Sequence, residues 1–224
     1  VGSGSKFGVS LDEIDELVRL VSAAGAKVTG IHAHSGSGIL EPENWQGVAH
    51  ALLAAAERFP DVRVLDLGGG IGVPDKRGDA EFDIAALDKL LSAFRRSHPK
   101  YELWLEPGRY LVAVAGVLLT HVTQTKGKAD HRYVGVSTGI NSLIRPALYD
   151  AWHEIVNLSR IGTPATEAVT VVGPICETGD KLGTDRLMPP CAENDVILIA
   201  NAGAYGYVMS SRYNLREIPP EIAI

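Results

Sequence analysis

The first half of the chain alternates between segments with helical spacing of apolar residues and short apolar, β-branched runs. Helices are predicted over residues 11–24, 43–58 and 84–96, and strands over 28–33, 62–67 and 101–105. Short loops join most of these segments, and such alternation is typical of parallel strands with right-handed crossovers. The first half is therefore expected to be an α/β structure.

Residues at the helix ends support these boundaries. Ser10 and Glu13 have the spacing of a capping box at the start of the first helix. Gly25 is placed to end that helix in a left-handed conformation. Asp83 precedes the third helix and can accept hydrogen bonds from its free N–H groups.

The pattern changes near residues 110–114. Alternating, β-branched stretches are predicted as strands over 111–124, 131–138, 168–173 and 195–200. They are separated by Gly, Pro, Asn and Asp, and no long amphipathic helix lies among them. We therefore expect two domains, an α/β domain over 1–112 and a mostly antiparallel β domain over 113–224.

Composition narrows the function classes. Apolar residues make up 46% of the 224 residues, and the net charge is −6 without a basic cluster, which argues against a nucleic-acid partner. No apolar run reaches the roughly 20 residues of a membrane span. Cys176 and Cys191 fit neither a disulfide framework nor a zinc spacing, so no metal site and a reducing cytoplasm are expected. The absence of an initiator Met predicts a truncated sequence.

Polar and glycine-rich motifs follow each of the three predicted parallel strands. They contribute His34 and Ser37, then Gly68, Gly69 and Gly70, then Glu106 and Arg109. In α/β barrels the ligand site is built where the strands end. Three glycines in a row let backbone approach a phosphate closely, although a tight turn also needs glycine. Ser37 can add a hydroxyl donor.

The remaining groups suit a flat, charged ring. His34 could stack on an aromatic cofactor, Glu106 could accept from a protonated ring nitrogen, and Arg109 could pair with a phosphate or a carboxylate. Taken singly, each has a plain structural explanation, such as a histidine bonded to its neighbours or an acid capping a turn. Together they describe a site for pyridoxal phosphate (PLP).

The β-rich half adds a second group of candidates. Arg145 and Tyr149 are four residues apart, so on a helical turn they would share a face and could clamp a carboxylate. Cys176 and Glu177 lie in one glycine-containing loop, and Tyr205 follows an apolar strand. The plain alternatives are a surface arginine, a turn and a buried aromatic side chain.

The motifs HAHSGSG, LDLGGGIG, LEPGRY, NSLIRPALY, GPICETGD and GAYGYVMSSRYN resemble, in order and spacing, the fold-type III PLP decarboxylases. They are most similar to the diaminopimelate decarboxylases, and the resemblance covers residues 5–220. It implies the C-terminal half of a (β/α)8 barrel followed by a β-barrel or sandwich domain. It also implies decarboxylation of meso-diaminopimelate to L-lysine and CO2 by a cytoplasmic homodimer with active sites at the subunit interface.

The resemblance also implies a role for each candidate. His34 would stack on the pyridine ring, Ser37 and Gly68–Gly70 would hold the phosphate, and Glu106 would pair with the ring nitrogen. Arg109 would lie near the phosphate and the substrate carboxylate, and Tyr205 would close the site. Arg145 and Tyr149 would bind the distal carboxylate. From the partner subunit, Cys176 would return a proton to the substrate carbon and Glu177 would meet the distal amino group.

Two features depart from the family pattern. Ser137 stands where an acidic residue is common, and the surrounding phrase resembles the decarboxylase half of fused aspartate kinase–diaminopimelate decarboxylases. No lysine has the Tyr-x-x-Lys-Ala context of the family's Schiff-base lysine. A full barrel takes about 250 residues, and the section before residue 110 supplies about half of one. We therefore expect this fragment alone to be inactive.

Other functions compatible with the motifs are a decarboxylase for arginine, ornithine or carboxynorspermidine, and a non-catalytic regulatory homologue. The RPALY motif disfavours arginine and ornithine, because these substrates lack a distal carboxylate. A generic phosphate-binding α/β protein would explain Gly68–Gly70 but would leave the second half's candidates without a purpose.

Overall fold

The computed structural model describes residues 5–128 and 130–224. Internal contacts divide the chain into two compact units. The first comprises the residues up to Val73 together with Ala80–Tyr110, and the second comprises Pro74–Asp79 together with Leu111–Ile224. No helix in the described part of the chain is long and apolar enough to cross a membrane.

The first unit contains a three-stranded parallel sheet in the order β1-β2-β3. Its strands are β1 (Gly30–His32), β2 (Val64–Asp66) and β3 (Glu102–Trp104), and its helices are α1 (Ile14–Ala23), α2 (Glu43–Ala56) and α3 (Ile84–Ser97). A 3-10 turn at Leu11–Glu13 precedes α1. The predicted α/β alternation is thus confirmed, with each strand shorter than predicted.

The predicted helix ends are also confirmed. Ser10 and Glu13 form both hydrogen bonds of the capping box, and the Asp83 carboxylate accepts from the N–H of Ala86. Gly25 follows α1 with a φ of 63°, the left-handed conformation that glycine adopts without steric cost.

One face of the parallel sheet carries the core of the first unit. Trp45 and Leu52 of α2, Leu65 of β2, and Leu87 and Phe94 of α3 are buried together. The opposite face borders a groove lined by Thr29, Gly30, Ile31, His32, Val64, Asp66 and Trp104. Trp104 is 55% exposed there. Parallel sheets are normally covered on both faces, so this face lacks its second layer in the described residues.

The second unit is a six-stranded mixed sheet in the order β6-β9-β4-β5-β7-β8. The strands are β4 (Leu118–Lys128), β5 (His131–Val136), β6 (Ile155–Asn157), β7 (Glu167–Val172), β8 (Lys181–Met188) and β9 (Val196–Ile199). Every neighbouring pair is antiparallel except β5 and β7, which are parallel. Val122, Val134, Leu143, Leu182 and Ile197 are among its buried core residues.

The prediction of a strand beginning at residue 111 is wrong. A short helix, α4 (Gly108–Val112), is followed by a 3-10 turn over Ala113–Ala115, and β4 begins only at Leu118. The N–H groups of Ala202 and Gly203 donate to the carbonyls of Gly116 and Ala113. Tertiary hydrogen bonding therefore overrides the strand propensity of the valines in this segment.

Strands β6 and β8 were not predicted from the sequence. β8 contains Gly183, Asp185 and Arg186, and glycine and aspartate are depleted in strands. Nevertheless Leu182 and Met188 are buried in the core. Residues Arg145–Tyr149 form a short helix, α5, in which Pro146 occupies the first turn.

Asp180 joins two loops of the second unit. Its carboxylate is buried and accepts from the N–H of Ile140 and from the N–H of Ile175, both at 2.7 Å. A Cβ at Gly139 or at Gly173 would overlap the carboxylate oxygens. Burial raises the pKa of Asp180, and the two N–H bonds oppose that shift.

We predict that Asp180→Asn lowers the free energy of unfolding by about 1–3 kcal/mol, because the amide NH2 cannot accept the second backbone hydrogen bond. Urea unfolding measures this difference. Asp185→Asn is the matched control, since Asp185 is exposed with a φ of 51° that asparagine adopts readily. Equal stability of the two variants would contradict the bridging role of Asp180.

Candidate functional site

The glycine turn after β2 lies directly against the segments that follow β1 and β3. Gly68 and Gly70 have φ values of 68° and 93°. A Cβ at Gly69 would overlap the carbonyl oxygen of Glu106, and one at Gly70 would overlap the carbonyl oxygen of Gly36. The three strand ends therefore meet, as expected for parallel strands, and only glycine fits at these contacts.

Hydrogen bonds hold the first two strand-end loops together. The Ile39 N–H donates to the Gly70 carbonyl at 3.0 Å, and the Gly72 N–H donates to the Ile39 carbonyl at 2.8 Å. The Gly69 N–H donates to His34 Nδ1 at 3.3 Å, so Nδ1 is the acceptor of this hydrogen bond.

Two backbone N–H groups of the glycine turn are already hydrogen-bonded within the protein. The Gly68 N–H already donates to the Asp66 carboxylate at 3.0 Å, and the Gly69 N–H is engaged by His34. Ser37 is exposed beside the turn, and Arg109 is half-buried. Arg109 Nη1 would lie 3.6 Å from a Cβ built at Gly38. The Ser37 hydroxyl and the Arg109 guanidinium belong to the same unit as the turn, and both are donors that a phosphate can use.

Glu106 has two neighbours that sequence reasoning missed. His32 Nε2 lies 3.3 Å from Glu106 Oε2, and His32 pairs with Asp66 in the parallel register. Ligand-type atoms of these three side chains lie within 4.8 Å of one another, so they could also hold a cation. His32 could have been found from its position two residues before His34, because alternate residues of a strand share a face.

In the second unit, Arg145 and Tyr149 differ in how far they are exposed to solvent. Arg145 is 7% exposed and its Nη1 lies 3.1 Å from His153 Nε2, whereas Tyr149 is 60% exposed. Arg145 thus lies at the buried end of α5, which packs on β8, and Tyr149 lies at its exposed end. His153, the buried partner of Arg145, was not singled out from the sequence.

Cys176 and Glu177 lie in an exposed loop, and each of the two forms a hydrogen bond with a neighbouring residue. The Cys176 N–H donates to Asn214 Oδ1 at 3.4 Å, and the Tyr213 hydroxyl donates to the Glu177 carboxylate. That bond to Glu177 raises the pKa of Tyr213. Both partners lie in the motif GAYGYVMSSRYN, but the sequence assigned them no role, and the left-handed backbone of Asn214 (φ 55°) is visible only in the structure.

Tyr205 stands in an unusual backbone conformation. Its φ is 57°, which is uncommon for a bulky residue, and its side chain is 48% exposed. The alternative of a buried aromatic side chain is therefore wrong. Strained, exposed residues cluster at functional sites, so this position is a candidate on geometric grounds.

Comparisons with known proteins agree on one family. A family profile described as "Pyridoxal-dependent decarboxylase, C-terminal sheet domain" matches residues 26–203. The diaminopimelate decarboxylase of Methanothermobacter thermautotrophicus is 38% identical, over 100% of this chain and 54% of that protein. This chain thus spans about half the length of the curated relatives it matches.

Solved structures give the same result. A crystal structure of a diaminopimelate decarboxylase superposes with a TM-score of 0.90 at 32% identity, covering 98% of this chain and 56% of that one. The Helicobacter pylori diaminopimelate decarboxylase complexed with L-lysine superposes with a TM-score of 0.82 at 30% identity, covering 95% and 53%. The chain belongs to the family of pyridoxal-dependent decarboxylases.

Proposed function

We propose that the whole protein to which this chain belongs decarboxylates meso-diaminopimelate to L-lysine and CO2. The observation that carries the proposal is the meeting of three strand ends, where the glycine turn lies against the Glu106 carbonyl. The relatives and structural neighbours that carry the name diaminopimelate decarboxylase support the choice of substrate.

PLP is the cofactor that these residues would hold. Gly68–Gly70 allow the backbone of the three strand-end loops to approach closely, and Ser37 and Arg109 would offer donors to a phosphate. His34 would lie against the ring and Glu106 would accept from the ring nitrogen. When bound, PLP supplies an electron sink for the negative charge left as CO2 departs.

Glu106 would hold a proton on the cofactor's ring nitrogen. A carboxylate at that point favours the protonated nitrogen, because opposite charges at hydrogen-bond distance stabilise each other. His32, 3.3 Å from the carboxylate, limits where Glu106 can point. Arg109 would neutralise negative charge on the phosphate or on the substrate carboxylate.

The second unit would bind the substrate's far end and return a proton. Arg145 and Tyr149 would meet the distal carboxylate, and Tyr205 would close the site. Cys176 and Glu177 would serve the partner subunit of a homodimer, with Cys176 returning a proton to the substrate carbon and Glu177 meeting the distal amino group. The exposure of Cys176 and Glu177 is consistent with a role at an interface.

We further propose that residues 1–112 form the C-terminal half of a (β/α)8 barrel and that residues 113–224 form the β domain. The uncovered face of the parallel sheet supports the first part, since additional strands would bury it. Both cysteines are free, which is compatible with a reducing cytoplasm.

The substrate assignment is tested by assaying the full-length protein with PLP. We expect turnover of meso-diaminopimelate and little turnover of ornithine or arginine, because neither offers a distal carboxylate to Arg145. Release of CO2 and formation of lysine are the measurements. Preferential turnover of ornithine would overturn the substrate, and no turnover of any amino acid would favour a regulatory homologue.

The glycine turn is tested by Gly69→Ala in the full-length protein. The added methyl group would overlap the Glu106 carbonyl, so we expect loss of bound PLP, measured by its visible absorbance. Gly47→Ala is the matched control, because Gly47 is an exposed helical residue with nothing within 4 Å of an added Cβ. Normal PLP content in both variants would contradict the phosphate assignment.

The shared active site is tested by mixing two inactive variants, Glu106→Gln and Cys176→Ala. If the two residues come from different subunits, random exchange should restore about a quarter of the wild-type activity, since half the dimers then contain one intact site. Mixing each variant with itself is the control. Failure of the mixture to regain activity, with subunit exchange shown by mass spectrometry, would place both residues in one subunit's site.

A further inference from the structure

His153 is completely buried in the second unit, and both of its ring nitrogens have a partner. Nδ1 lies 2.8 Å from the carbonyl oxygen of Ala200, and Nε2 lies 3.1 Å from Arg145 Nη1. A carbonyl can only accept and a guanidinium can only donate. Nδ1 therefore carries the proton and Nε2 accepts, so His153 is neutral and in one tautomer.

The bond from Arg145 to His153 fixes the orientation of a long side chain. Arginine has about 2 kcal/mol of rotamer entropy, and a planar guanidinium is most useful when its plane is set in advance. Arg145 starts the short helix α5, whose backbone is constrained by Pro146. With its main chain held and one Nη bonded to His153, Arg145 is pre-oriented before any ligand binds.

Two buried arginines, Arg145 and Arg186, lie close to the segment that carries His153. The residue before His153, Trp152, stacks on the guanidinium of Arg186 at 3.1 Å from the ring centroid. Arg186 is 6% exposed, and burial lowers its pKa. The segment that carries His153 thus contacts two buried arginines, so lysine or arginine in its place would add a third buried cation.

We propose that His153 is a positioning residue that acts through Arg145 to set the preference for a substrate with a distal carboxylate. This inference rests on the proposed function, in which Arg145 binds that carboxylate. His153 does not itself touch the substrate. It holds the arginine in the orientation that a bidentate carboxylate contact requires.

The test uses His153→Phe and His153→Gln in the full-length, PLP-loaded protein. The Phe variant removes the acceptor, so the KM for meso-diaminopimelate should rise about tenfold with kcat nearly unchanged, the loss expected for one charge-assisted bond. The Gln variant keeps an amide acceptor and should recover most of that loss. His121→Phe, an exposed histidine of β4, is the matched control.

A second readout separates positioning from general damage. The inhibition constant of cadaverine, which has both amino groups of the substrate and no carboxylate, should be unchanged in the His153 variants. PLP content and thermal midpoint report folding, and His153→Leu, which also lacks an acceptor, replaces the Phe variant should the latter fail to fold.

Two results would overturn the role of His153 alone. One is an equal rise in the KM for meso-diaminopimelate and in the inhibition constant of cadaverine. The other is an unchanged KM in a folded variant that lacks the acceptor. A wild-type protein that does not act on meso-diaminopimelate would instead overturn the proposed function, and this inference with it.

Discussion

The close approach of the Gly69 backbone to the carbonyl of Glu106 is the contact on which the candidate cofactor site depends. It brings the turn after β2 against the residue that follows β3, and the Gly69 N–H binds His34 from the loop after β1. A side chain at this point would force the strand ends apart. The segments that meet here also carry the proposed ring contact, His34, and the proposed carboxylate, Glu106.

In the second unit, hydrogen bonds hold the exposed loop that carries Cys176 and Glu177 in place. Asp180 ties the backbone near Ile140 to the loop that carries Cys176 and Glu177. Tyr213 and Asn214 then hold these two residues from the other side. A buried carboxylate with two N–H donors is costly to disturb, because removal of one partner leaves a polar group unsatisfied. The loop is therefore fixed at its base while its reactive side chains stay accessible.

Much of the fold could be predicted from the chain because its local signals agree with one another. The capping box at Ser10 and Glu13, the left-handed Gly25 and the glycine turn at Gly68–Gly70 each have one favourable backbone solution. The start of β4 could not be predicted, since the valines near residue 112 favour a strand until hydrogen bonds from Ala202 and Gly203 are known. Such long-range bonds leave no periodic trace in the sequence.

The residues of the candidate site also differ in how well the sequence predicts them. Residues at strand ends, such as His34 and Glu106, could be identified because parallel topology brings strand ends together. Of their supporting partners, His32 could be inferred from its spacing to His34, whereas the roles of His153 and Tyr213 depend on burial or on a contact with a segment distant along the chain. Positioning residues have ordinary sequence contexts, and only the coordinates distinguish them.

The most direct test of the account is a crystal structure of the full-length protein with PLP and L-lysine. The account predicts the phosphate against Gly68–Gly70 and the Glu106 carboxylate within about 2.6–3.2 Å of the ring nitrogen. A phosphate bound elsewhere, or a ring nitrogen facing a group other than Glu106, would contradict it.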